Sequence, residues 1–531
     1  MEITGKNLIG YSESALGSKT FQSLSPAKGE HLTGDFYAAT DQEVAQTLKL
    51  AEQAFKSYSR ISAEKRADFL DRITDEILAL GDVLVQRACA ESALPQGRIE
   101  GERGRTIGQL KSFAQLLRDG FWLEATIDQA NPDRPVAPKP DTRRLLVPVG
   151  PVLVFGASNF PLAFSTAGGD TASALAAGNP VIVKSHNGHS GTGELVSRAI
   201  LKAAKDLGMP EGVFSFLHDE GIKVAGTLVK APQIKSVAFT GSFKGGKAIY
   251  DLANTRPDPI PVFAEMGSIN PVILFPSALE KHGEAYADLY AGSITLGTGQ
   301  FCTNPGLMIA LKSEHLENYI KLLGNRIKEI APCSMLTQPV YQGFRDNLKT
   351  LLEQKEVIKV SESTGSAEAK QLEGTPTLAR VSAQAFIKNS QLQEEVFGPL
   401  SLIVQCEDLE EMQAVCAQLQ GQLTVTIMGD EEDVLNHNGL IQELSEKTGR
   451  IIFNNVPTGV EVCASMQHGG PYPASTDARF TSVGTSAIKR FARPLTFQNW
   501  PDAALPGELR NGNPLNIWRL LDNQWTKEPI S

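Results

Sequence analysis

Between residues 152 and 255 the chain alternates short β-branched runs with segments of helical periodicity, and this repetition constrains its fold more than any other feature. Residues 152–155 form an apolar run, 166–177 read as a helix, and 181–183 form a second β-branched run, together a βαβ unit. The pattern continues through a helix over 192–207, a strand at 213–217, a helix over 222–229, a strand at 237–240 and a helix from Phe243. Parallel strands need long crossovers, so repeated units of this kind predict a parallel sheet with helices on both faces. Ligands of such sheets sit beyond the carboxyl ends of the strands. The residues after Phe155, Val183, Leu217 and Phe239 are therefore expected to line a cofactor cleft.

Upstream, apolar residues recur at helical spacing over 40–130, as in Val44, Leu48, Ala51, Ala54 and Phe55, then Phe69, Ile73, Ile77 and Leu80, which predicts a helical opening segment. Residues 131–142 hold four prolines without periodicity and read as a connector or extended arm. A second alternating region from about 261 to 466, with runs at 272–275, 307–311, 400–404 and 451–453, predicts another α/β domain. The tail after Ser486 is basic, then rich in Pro and Trp, and suits either an arm packed on a neighbouring subunit or a plain surface tail. From Leu145 to Gly169 no residue is charged, a length that could span a bilayer. Pro148, Pro151 and Pro161 would break such a helix, so buried strand and loop are expected and no membrane partner.

With 531 residues, about three domains are expected. The net charge of −10 repels polyanions, which argues against nucleic-acid binding. Six cysteines are scattered without a CxxC pair or zinc-type spacing, so neither a disulfide framework nor a metal site is expected. The N-terminus lacks a secretory pattern, and a cytoplasmic setting is expected.

Three segments each place one reactive group among glycines and prolines: GASNFP at 156–161, FAEMGSINP at 263–271 and GTGQFCTNP at 297–305. A lone cysteine is ordinarily a small core residue. Here an amide and a carboxylate in similar settings supply the other parts of a thiol mechanism. The chain resembles the NAD(P)-dependent aldehyde dehydrogenases over nearly its whole length, on ASNFP (157–161), the strand end at Lys184, FTGS (239–242), EMGSINP (265–271), GQFC (299–302) and EEVFGP (394–399).

That resemblance implies a Rossmann-type parallel-sheet NAD(P)-binding domain (1–130 and 150–262), an α/β catalytic domain (263–468) and a β-bridging oligomerisation arm (131–149 and 486–531). It implies Cys302 as nucleophile, Glu265 as general base, and Asn159 with the Cys302 N–H as oxyanion donors. Lys184 is expected on the adenosine ribose, Gly241 and Ser242 at the pyrophosphate, and Glu395 and Phe397 at the nicotinamide ribose and ring. Family members assemble as homodimers or homotetramers, and one of these is expected.

Two rivals deserve weighing. GSFKGGKA (241–248) satisfies a nucleotide-triphosphate loop, but Ala248 stands where that loop needs Ser or Thr for magnesium. A cysteine hydrolase would pair Cys302 with His186, His189 or His468, none of which reads as set like the three reactive segments.

Departures from the common pattern narrow the group. Ser268-Ile269 replaces Gly-Lys after the base, Asn187 stands where a glutamate commonly accepts from the 2′-hydroxyl, and 468–494 has an unusual ending. These features resemble the branch that oxidises α-ketoglutaric semialdehyde (2,5-dioxovalerate), and also a nearby branch of NADP-dependent fatty aldehyde dehydrogenases. Asn187 removes a carboxylate that would repel NADP, while Ser185, Asn187 and a protonated His186 could donate to its phosphate, so NADP is expected over NAD. A semialdehyde ending in carboxylate needs a cation in the substrate tunnel. Arg105 and Gln109, four apart on one helix face, are the expected substrate residues.

Overall fold

In the computed structural model, which describes residues 2–530, the first βα repeat closes into a seven-stranded sheet. Its parallel strands run in the order Val262–Glu265, Ser236–Thr240, Val152–Phe155, Val181–Lys184, Phe214–Leu217. Asn7–Ile9 and Ser12–Ser14 add antiparallel at the far edge. These two strands escape sequence reading because three residues are too few to show a period. Val152–Phe155 is buried along its whole length, as a central parallel strand covered on both faces must be. Register aligns Phe155, Lys184 and Leu217 with one another and Thr240 with Glu265, so all five end at one edge of the sheet.

The helical opening segment folds as Asp41–Tyr58, Ala63–Ala79, Gly81–Ser92 and Gln96–Asp119. The first begins at a capping box in which Thr40 and Glu43 satisfy each other's backbone N–H groups. Phe69, Ile73, Leu110 and Phe113 pack from these helices onto Val154, Val183 and Phe214 of the sheet. Each such side chain contributes about 1.5–3 kcal/mol by burial. The helix expected from residue 166 starts later, as Gly169–Ala177, because 161–168 winds through turns. Gly168 sits so close to Ala163 that a Cβ would lie 2.5 Å from the Ala163 carbonyl oxygen.

A second seven-stranded sheet runs Ile358–Glu362, Thr377–Ser382, Leu400–Cys406, Leu307–Leu311, Val272–Leu274, Gln422–Met428, Thr448–Phe453. The chain passes from the first sheet to the second between Glu265 and Val272. The tail is not a plain surface tail: Ala492–Gln498 pairs antiparallel with Thr142–Pro148 over seven residues. Thr126–Asp128, Arg519–Leu521 and Gln524–Thr526 complete a five-stranded sheet. Among the described residues, no helix is long and apolar enough to cross a membrane.

Candidate active site

Glu265 ends the edge strand of the first sheet, and its neighbours recruit a distant loop. The Met266 N–H donates to the Ala474 carbonyl (2.8 Å) and the Thr476 N–H donates to the Ala264 carbonyl (3.0 Å). This extra pairing holds residues 468–482 over the strand end. Within the loop the Ser482 N–H donates to the His468 carbonyl (2.8 Å).

Cys302 arrives on a turn that requires its glycine. Gly299 has φ +66°, and a Cβ there would lie 2.2 Å from the backbone of Gly398 in the EEVFGP segment. Asn270 donates to the carbonyls of Cys302 and Asn304, each at 2.9 Å. Asn270 is in turn held by Gln422, whose Oε1 accepts from the N–H groups of Ile269 (2.9 Å) and Asn270 (3.1 Å) and from the Ser268 hydroxyl. The substituted Ser268-Ile269 pair therefore keeps its loop anchored.

The reacting groups meet in a chain. Cys302 Sγ lies 3.4 Å from His468 Nε2, which lies 3.1 Å from Glu265 Oε1, and the Ser482 hydroxyl donates to Glu265 Oε2 at 2.5 Å. Glu265 is 5 % exposed and His468 1 %. Burial alone would raise the Glu265 carboxyl, but the His468 charge and donors from His468, Ser482 and Cys302 outweigh it and hold it below the usual range. Burial, then the Glu265 charge, pushes the Cys302 thiol well above its ordinary value, against a smaller pull from Arg105. The resting proton thus belongs on sulfur and the negative charge on Glu265. His468 Nε2 stands within reach of both the sulfur and the carboxylate, and its tautomer decides which of them it donates to.

Sequence reading set His468 aside; the structure corrects this and brings it to the thiol. The signal was present in His-Gly-Gly-Pro, a setting like those of the three reactive segments. Ser482 and Asn270 were missed because a serine and an asparagine carry no distinctive spacing.

Asn159 donates to the Gln300 carbonyl (3.0 Å) through Nδ2, and that amide retains a second hydrogen. The Cys302 N–H has no acceptor among the described residues. Both line or adjoin a cleft of about 340 Å³, as do Gly241, Ser242, Glu395 and Phe397. Burial raises Glu395 to about 7, opposed by the Ser268 N–H. Ser242 caps the helix Phe243–Asn254, accepting from the Gly245 N–H, so the helix N-terminus faces the cleft. Lys247 does not curl over this loop: it pairs with Asp251 on its own helix, which removes the triphosphate-loop reading.

Lys184 stands three strands from Glu265 along the sheet edge, about 14 Å at the usual strand spacing. That span, with a helix N-terminus between a cation and the thiol, fits a nicotinamide dinucleotide. Lys184 Nζ donates to Asn187 Oδ1 (3.1 Å), and Asn187 Nδ2 donates to the Glu220 carbonyl (2.6 Å). Two expected phosphate donors are corrected. Ser185 is buried against His218 Nδ1 (3.2 Å), and His186 is kept neutral by burial and by His189 and Lys184 while its Nδ1 accepts from the Gly188 N–H.

Phe160, Phe164, Phe301 and Val483 form an apolar cluster with Val462 and Met466 against it. Arg105 lies over the Phe164 ring at 5.2 Å and is largely buried. Gln109 is buried, and its side chain packs against Gly169 and reaches the Ala163 carbonyl.

Residues 12–489 match the aldehyde dehydrogenase family. The chain is 47% identical to alpha-ketoglutaric semialdehyde dehydrogenase 2 of Azospirillum brasilense, over 99% of this chain and 100% of that protein. It is 43% identical to an alpha-ketoglutaric semialdehyde dehydrogenase of Acinetobacter baylyi, over 99% of both. Among solved structures it is similar to a 1-pyrroline-5-carboxylate dehydrogenase from Thermus with bound NAD, at 20% identity and TM-score 0.77 over 93% of this chain and 92% of that one. These matches run nearly the full length of the chain, and it belongs to the aldehyde dehydrogenase family of NAD(P)-dependent aldehyde oxidoreductases.

Proposed function

We propose that the enzyme oxidises α-ketoglutaric semialdehyde to 2-oxoglutarate, with Cys302 as nucleophile and Glu265 as base. The Cys302 thiol passes its proton to Glu265, and His468 Nε2, 3.4 Å from sulfur, donates to the new thiolate in its Nε2–H tautomer. Sulfur attacks the aldehyde carbon, and the alkoxide of the thiohemiacetal is received by the free hydrogen of Asn159 and the Cys302 N–H. A nicotinamide dinucleotide held by Lys184, Gly241, Ser242, Glu395 and Phe397 would supply the acceptor for the hydride lost from the thiohemiacetal carbon, which leaves the Cys302 thioester. Glu265 then releases its first proton to solvent and takes one from the attacking water; the C–S bond breaks, the acid leaves and the Cys302 thiolate is reprotonated.

The observation that carries the substrate is Arg105. Its Nε and Nη2 are buried without an acceptor beside the apolar cluster, and its charge acts on Cys302. A cation in that state suits an aldehyde whose far end is anionic, and the relatives' names point the same way. A charged hydrogen bond contributes about 1.5–3 kcal/mol, or roughly 10–100-fold. Steady-state comparison of α-ketoglutaric semialdehyde, glutarate semialdehyde and decanal should favour the first over decanal by at least about tenfold in kcat/KM. Decanal used equally well would favour the fatty aldehyde reading, for which the phenylalanine cluster would serve as an alkyl channel.

For the cofactor we propose NADP before NAD, now on Lys184 and Asn187 alone. Burial lowers Lys184 to about 8, opposed by Asp219. It is charged below that pH and loses charge above it, so KM for NADP should climb above about pH 8. Asn187→Glu would neutralise Lys184 across the existing 3.1 Å contact and repel the 2′-phosphate. KM for NADP should rise at least about tenfold, about 1.4 kcal/mol, with NAD use less affected. An equal loss with both cofactors would overturn the assignment.

We further propose a homodimer or homotetramer bridged through the five-stranded sheet, whose strand Ala492–Gln498 lies at its edge with backbone groups open to pairing. A reducing, cytoplasmic setting suits the six free thiols.

A further inference from the structure

Arg450 lies outside every motif of the sequence, yet it borders the same apolar cluster as Arg105 from the other domain. It sits on the last strand of the second sheet, Thr448–Phe453. Its guanidinium donates from Nη2 to the Pro457 carbonyl (2.8 Å) and from Nη1 to the Gly459 carbonyl (3.2 Å), and Nη1 lies 4.0 Å from Met466 Sδ. Those contacts hold the loop that carries Val460, Val462 and Met466 against Phe160, Phe164 and Phe301. Its Nε is buried and has no acceptor. The charge of Arg450 and the Cys302 sulfur act on each other, as do those of Arg105 and Cys302.

The unsatisfied donors of the two arginines differ in a way that matches one ligand. Arg105 offers Nε and Nη2, the adjacent edge of the guanidinium that grips a carboxylate with two parallel hydrogen bonds. Arg450 offers Nε alone, because both of its terminal nitrogens are held by the loop. A buried N–H without an acceptor is costly, so each of these donors is a place for a ligand oxygen. Arg98, the other arginine at this cluster, also has a buried Nε without an acceptor, but its guanidinium lies over the Phe160 and Phe301 rings and 3.4 Å from Glu102.

We propose that Arg450 is a specificity-determining residue that donates through Nε to the 2-oxo oxygen of the substrate while Arg105 holds the adjacent carboxylate. Two carboxylate oxygens and one ketone oxygen match the three free donors of Arg105 and Arg450. The inference rests on the reading of the substrate as a 2-oxo acid semialdehyde and adds the group that distinguishes it from a simple ω-semialdehyde of equal length.

The test compares α-ketoglutaric semialdehyde with glutarate semialdehyde, which lacks only the 2-oxo group, and with neutral pentanal, using the full-length wild-type enzyme and the variants Arg450→Lys, Arg450→Met and Arg105→Met. Lysine retains the charge and a donor for the loop carbonyls but has no Nε–H. The ratio of kcat/KM for the 2-oxo substrate over glutarate semialdehyde should fall about tenfold in both Arg450 variants, chiefly through KM. Arg105→Met should instead lower both acids relative to pentanal. Equal losses for all three aldehydes in both Arg450 variants would overturn the proposal and leave Arg450 a loop anchor; an unchanged ratio would overturn it too. A wild-type enzyme that prefers pentanal to both acids would instead sink the substrate reading itself, before any variant is measured.

Discussion

Cys302→Ser should abolish aldehyde oxidation, lowering kcat/KM by at least about 10³-fold, which is 4 kcal/mol or more in the barrier. The oxygen occupies nearly the same space as sulfur, so the turn around Gly299 and the Asn270 contact to the residue 302 carbonyl remain. What changes is acidity and nucleophilicity. Even a thiol held above its ordinary value ionises far more readily than a serine hydroxyl in the same place, and a neutral hydroxyl is a weak nucleophile. Stopped-flow absorbance at 340 nm should show neither a burst nor turnover, while NAD(P) binding followed by quenching of protein fluorescence should persist. Wild-type turnover in the serine variant would end the thiol mechanism.

Glu265→Gln should slow the burst as well as the turnover, each by about 10²–10⁴-fold, the usual scale for removing a general base. A base acting only on water would leave the burst intact. The geometry argues otherwise, because Glu265 lies 3.1 Å from the same His468 Nε2 that contacts the thiol in the resting site. Without the carboxylate the thiol has no ionised acceptor, and His468 Nε2 loses its charged neighbour at 3.1 Å. In the wild type, activity should fall as pH drops through the lowered Glu265 value, since the base is then protonated, and this acid limb should vanish in the glutamine variant. A burst at the wild-type rate followed by stalled turnover would confine Glu265 to the hydrolytic step.

Much of this protein was legible in one dimension. Strands at 152–155, 307–311 and 400–404 announce themselves because a strand buried on both faces is an unbroken apolar run, and the helices of the opening segment because one apolar stripe recurs every turn. The reactive segments show for a related reason. Glycine at 299 is demanded by a left-handed turn and by contact with Gly398, so chemistry placed on such turns leaves a mark in the sequence.

Side-chain direction was not legible. Arg105 and Gln109 share a helix face by spacing, yet one reaches the phenylalanine cluster and the other is buried beneath Gly169. Ser185 and Lys184 are neighbours on a strand end, where alternation sends one inward to His218 and the other to Asn187.

The sequence by itself determined the parallel core of the first sheet, the α/β character of the second region, and the turns that carry Cys302, Glu265 and Asn159, because periodicity and turn residues are local requirements. Only the tertiary structure decided that His468, 166 residues beyond Cys302, stands between thiol and base, and that Arg450 shares a cluster with Arg105. Those contacts arise where loops from separate sheets pack together, and the donors and acceptors that remain unpaired there depend on the whole fold rather than on any stretch of chain.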